Sequence, residues 1–80
     1  MNETIYTFNG KNITMNVCIQ IRGVLDVIQR VMNIDFSEAV ALFYPSDTYQ
    51  VLQETENALW AESAEFIANR FFQEIDEISI

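Results

Sequence analysis

Between Asn12 or Thr14 and Asn33 the apolar residues recur at the spacing of an α-helix, and no other feature constrains the fold so strongly. At 100° per residue Val17, Ile21, Val24, Leu25, Ile28, Val31 and Met32 fall on one broad stripe, with Cys18 at its edge. Opposite them lie Arg22, Asp26, Gln29, Arg30 and Asn33. Arg22–Asp26 and Asp26–Arg30 are i,i+4 pairs, each worth a few tenths of a kcal/mol. A helix this long in a chain of 80 residues sets the architecture, because everything else must cover its stripe.

The rest of the chain divides into shorter helical segments. Asp35 is placed to cap a second helix, with Glu38 at the capping-box position and Phe36, Val40 and Phe43 on one face. Pro45 ends it and makes Tyr44 the boundary. Ser46 caps a short third helix with Asp47 in its first turn and Tyr49 and Leu52 inward. A polar connection, Glu54-Thr55-Glu56-Asn57, precedes a fourth helix capped by Ser63 with Glu65 in its first turn. Its apolar stripe is Ala64, Ile67, Ala68, Phe71, Phe72 and Ile75, extended to Ile78. Ahead of the first helix, Ile5-Tyr6-Thr7-Phe8 and Ile13-Thr14-Met15 flank Asn9-Gly10, a hairpin signal. An isolated hairpin is marginal, so residues 1–11 are either a hairpin packed on the body or a loose extended arm. The expectation is a single all-α domain over residues 1–80, a three- or four-helix bundle with that arm. Ile21, Val24, Leu25, Ile28, Phe43, Phe71 and Ile75 should be its most buried residues.

The stretch Phe36 to Ile75, FSEAVALFYPSDTYQVLQETENALWAESAEFIANRFFQEI, has a rhythm of Leu42-Phe43-Tyr44, Ser46, Tyr49, Leu52 and Trp60-x-x-Ser63. In this it resembles short helical proteins of anaerobic gut bacteria that carry a domain of unknown function. These often lie near mobile-element or toxin–antitoxin-like genes. The resemblance covers about half the chain, implies a small bacterial interaction partner of accessory or antitoxin-like type, and assigns no site residues.

Charge and composition narrow the function. The net charge is −8, distributed unevenly. Residues 1–40 carry Glu3, Asp26, Asp35 and Glu38 against Lys11, Arg22 and Arg30, a net of −1; residues 41–80 carry eight acids against Arg70 alone, a net of −7. Phosphate backbones are bound by Lys and Arg that displace counterions, so direct nucleic-acid or anionic-membrane binding is not expected. A basic partner is favoured electrostatically. No stretch reads as a membrane span: Val17 to Val31 is interrupted by Gln20, Arg22, Asp26 and Gln29. The start, Met1-Asn2-Glu3-Thr4, offers neither the basic residues nor the apolar run of a signal peptide, and a lone cysteine suits a reducing compartment. Cytoplasmic location is the expectation.

No catalytic, cofactor or metal residues are expected. There is no histidine to serve Cys18 or any serine, so Cys18 reads as a small buried hydrophobe. Glu54/Glu56, Glu62/Glu65 and Glu74/Asp76/Glu77 read as solvated acids rather than acid–base pairs. Two glycines cannot build a phosphate-cradling loop. What remains is interaction. Met15, Ile19 and Gly23 stand at i, i+4, i+8 on the flank of the first helix away from its stripe, and Trp60 sits in a polar connection where it either lids the bundle or protrudes as an anchor. Met15, Ile19, Gly23 and Trp60 are the candidate interface, toward a larger protein or a second copy, unless Ile5, Tyr6 and Phe8 of the arm cover the patch. The alternative function is an acidic decoy that occupies the basic groove of a nucleic-acid-binding protein.

Overall fold

The computed structural model describes the backbone of residues 5–78 and the side chains of residues 5–76. Two short strands, β1 (Thr7–Phe8) and β2 (Lys11–Asn12), lead into α1 (Thr14–Met32), α2 (Phe36–Phe43), α3 (Asp47–Gln53) and α4 (Ala64–Ile78). Two 3-10 turns, Thr55–Asn57 and Leu59–Ala61, join α3 to α4. The architecture is an all-α bundle with an N-terminal hairpin. The second strand is shorter and earlier than expected, because Ile13 closes the hairpin side and Thr14 already belongs to α1.

Local chemistry places most boundaries. Asn9 (φ 51°) and Gly10 (φ 79°) both take positive φ, the two-residue turn that matches strand twist, and set Thr7 opposite Asn12 and Phe8 opposite Lys11. The hairpin is pinned to its surroundings. Ile13 N donates to Tyr6 O, and Tyr6 N donates to Thr14 Oγ1, each at 2.8 Å. Thr55 Oγ1 donates to Thr7 O (2.6 Å), and the Phe8 ring meets Trp60 edge-on at 5.5 Å. At the other end of α1, Asn33 adopts the left-handed conformation (φ 56°, ψ 50°), which stops the helix and turns the chain into α2.

The three expected caps are made. Asp35 Oδ1 accepts from Glu38 N (2.8 Å), Ser46 Oγ from Tyr49 N (3.1 Å) and Ser63 Oγ from Phe66 N (3.1 Å). Tyr44 bounds α2 as expected but keeps helical angles (φ −60°, ψ −39°), contrary to the usual displacement before proline. The helix ends instead because Pro45 has no N–H to continue the ladder.

Helix α1 packs against α4 and α2, and α3 packs on α4. Val24, Ile28, Phe43, Leu52, Ile67 and Phe71 are fully buried, with Leu25 nearly so. Phe43 touches Phe71 edge-on at 5.5 Å and Tyr49 at 5.3 Å. Ile21 and Ile75 are only half-buried, at the margin of this core rather than within it.

Four more residues depart from the expected pattern. Val31 (63% exposed), Met32 and Phe36 have the right helical phase but lie at the α1–α2 corner, where the stripe outruns the elements that cover it. Cys18, expected as a buried hydrophobe, is exposed: it sits at the edge of the stripe, outside the part covered by α2 and α4. The Ile78 side chain lies outside the described residues.

Candidate functional site

The outer face of α1 is where the interface candidates fall, and the fold separates them. Met15 and Ile19 are 71% and 62% exposed, one turn apart on the side of α1 away from the core. The described residues of the arm, 5–11, do not cover them. Ile5 is itself exposed, the Tyr6 hydroxyl accepts from Gln53 Nε2 (3.2 Å), and Phe8 lies on Trp60.

Gly23 is used inside the chain. A Cβ built on it would lie 2.9 Å from Cβ of Ala64, so the missing side chain lets α4 start against α1. Gly23, named above with the candidate interface, thus serves a contact with the chain's own fourth helix. Trp60 is the lid of the two alternatives. It is half-buried, its Nε1 donates to Thr55 O (2.9 Å), and its ring is edged by Phe8. Gln20 Nε2 donates to Trp60 O at 2.9 Å and also to Glu62 O, fastening the connection to α1. A shallow depression lined by Asn16, Ile19, Gln20, Trp60 and Ala61 joins the Ile19 patch to this seam.

Sequence reasoning missed a polar cluster on the α3–α4 side. Glu74 of α4 accepts from Asp47 N and Thr48 N at 2.8 Å each, and from Thr48 Oγ1 at 2.7 Å. Its two carboxylate oxygens therefore satisfy amides left open at the start of α3. Arg70 Nη2 stands 3.7 Å from Asp47 Oδ2 at the rim. Partial burial pushes the Glu74 carboxyl up, but the hydrogen bonds from Thr48 Oγ1 and the Asp47 and Thr48 amides, with the Arg70 charge, outweigh it and hold the group below its ordinary value. A carboxylate so held stays ionised and engaged at neutral pH, which makes it a clamp between helices rather than a general base. Neither Thr48 nor Glu74 carried a sequence signal for this contact, since they stand 26 residues apart.

Burial raises the Tyr49 phenol above its ordinary value, with the stacked Tyr44 ring (4.6 Å, 5°) adding to it. Among the described residues no three acidic or cysteine side chains converge on a metal-sized space, and no helix is long and apolar enough to cross a membrane. No family model, curated protein or solved structure matches the chain.

Proposed function

We propose that this chain is a small acidic protein-interaction module of the bacterial cytoplasm, non-catalytic, acting by self-association through the outer face of α1. The observation that carries this reading is the exposure of Met15 and Ile19 on a face that Ile5, Tyr6 and Phe8 leave open. Burying such a side chain is worth about 1.5–3 kcal/mol, so four of them across a two-fold contact supply on the order of 6–12 kcal/mol. Association costs roughly 4–15 kcal/mol in lost freedom, so the contact is expected to be weak and concentration-dependent. Weak, reversible pairing suits an accessory or antitoxin-like role, in line with the resemblance over Phe36 to Ile75.

The test is light scattering with the wild type and Ile19→Glu from about 1 to 500 µM, a range matched to a weak contact. A wild-type dimer and a folded, monomeric variant support the reading. A wild type that is monomeric throughout overturns it.

A second reading is the acidic decoy, favoured by one observation. Asp47, Glu54, Glu56, Glu62, Glu65 and Asp76 are all exposed. A complex of that kind with a basic protein weakens steeply as salt rises, whereas an apolar contact through Ile19 barely responds.

A further inference from the structure

The face that carries Met15 and Ile19 continues along the helix. Met15, Ile19, Arg22, Asp26 and Gln29 follow alternating steps of four and three residues, the spacing that keeps a seam turned toward a partner helix, and the left-handed cap Asn33 ends the row. All are exposed except half-buried Gln29. In a chain with net charge −8 the seam carries both signs, Arg22 beside Asp26, with Arg30 on its flank. A row with both signs can set opposite charges against each other when two copies meet through it.

Resting on the self-association reading above, we infer that two copies pair through α1 in antiparallel orientation, with Arg22 of each against Asp26 of the other. Overlap and charge select the same register. Two antiparallel helices spanning Thr14–Met32 overlap most fully when the two-fold axis lies near their midpoint, residue 23. The seam is symmetric about position 24, which sets Met15 opposite Asn33, Ile19 opposite Gln29 and Arg22 opposite Asp26 of the second copy. A parallel pair stacks Arg22 on Arg22 and Asp26 on Asp26, like on like. Within one copy Arg30 Nε stands 3.3 Å from Asp26 Oδ2, which leaves Oδ1 for Arg22 of the second copy. The same register carries Met15 toward the second copy's α1–α2 corner, where Met32 and Phe36 are 36% and 57% exposed.

Cys18, exposed and the sole cysteine, flanks the seam and takes a nitroxide label for a pulsed-EPR distance on the dimer. Antiparallel pairing separates the two Cys18 backbones by about 20 Å, from about 18 Å along the axis and about 9 Å between axes. A parallel pair separates them by about 9 Å. The second measurement is the dimer constant of D26R. General charge repulsion predicts that D26R tightens the dimer, because it lowers the net negative charge. The specific pair predicts weakening by about tenfold, and recovery in R22D/D26R. A distance near 20 Å with that weakening and recovery supports the register. A short distance, or a dimer that D26R leaves unchanged or tightens, overturns the register while leaving self-association standing. A monomeric wild type removes both.

Discussion

Removing the Glu74 carboxylate tests how the bundle is held on the side away from the proposed contact. In Glu74→Ala two backbone amides at the start of α3 lose their acceptor, and so does the hydroxyl of Thr48, which is 1% exposed. The amides lie near the surface and recover water, at a cost like that of losing an N-cap, about 1 kcal/mol. The buried hydroxyl has no such recourse, and an unsatisfied buried donor costs about 1–3 kcal/mol. The sum is about 2–4 kcal/mol, against the ±0.5 kcal/mol usual for a surface substitution. At about 4–8 °C per kcal/mol for a domain of this size, the melting temperature falls by at least about 8 °C. Glu74→Gln keeps one acceptor oxygen and should lose about half as much. Urea titration followed by circular dichroism reads both values. A loss below about 0.5 kcal/mol in Glu74→Ala would show that water serves these donors as well as the carboxylate does.

The same contact fixes a sign for acid. Because the folded carboxyl titrates below its unfolded value, its contribution is fully present above the unfolded pKa and is lost as the pH falls through the lower, folded one. Wild type should therefore lose stability below about pH 4–5 more steeply than Glu74→Gln. The other acids are common to both proteins and form a shared background. The difference between wild type and Glu74→Gln isolates the clamp from that background, and parallel pH profiles would refute it.

Further outcomes follow from the packing. Gly23→Ala gains about 1 kcal/mol of helix propensity but forces its methyl on Ala64. The clash costs about 1–3 kcal/mol, so the net loss in a thermal melt should be up to about 2 kcal/mol, and smaller in G23A/A64G. Ile28→Ala, at a fully buried site, should cost about 2–5 kcal/mol, while Val31→Ala, on the same stripe but exposed, should stay within about 0.5 kcal/mol. Equal losses at the two positions would mean that α1 is covered to its end. Cys18 should react with a water-soluble disulfide reagent in native buffer as fast as in denaturant; protection in the native state would contradict its exposure.

The elements were legible where the rules are local. Asp35, Ser46 and Ser63 each cap the helix that follows them because a side-chain oxygen and an amide three residues on meet by local geometry alone. The long stripe of α1 was legible in phase but not in extent. Periodicity reports which direction a residue points, and burial also requires something in that direction. Val24 and Ile28 have α2 and α4 over them, whereas Val31 points the same way past the end of the cover. Whether the arm would order was undecidable from Asn9-Gly10, since the turn only permits a hairpin. Tyr6, Thr7 and Phe8 are held by Gln53, Thr55 and Trp60, some 50 residues away, and those contacts exist only once the bundle has formed.

Gly23 and Glu74 show why the candidate site was only half legible. A glycine inside a helix signals that some backbone comes close, but the signal does not say whose. A neighbouring chain and the chain's own α4 leave the same trace in the sequence, and Ala64 decides between them only in three dimensions. Glu74 is the converse case. In a run with Asp76 and Glu77 it reads as one more solvated acid, and most acids in such a run are. Its role depends on α3 beginning with two open amides and a buried Thr48 hydroxyl at the place where α4 crosses. Met15 and Ile19, by contrast, were legible as surplus because surplus is a property of one helix: the stripe of α1 meets its own bundle without them. That surplus, next to the opposite charges of Arg22 and Asp26, is why the outer side of α1 is the surface we propose for a second copy, where apolar burial and charge complementarity would act together.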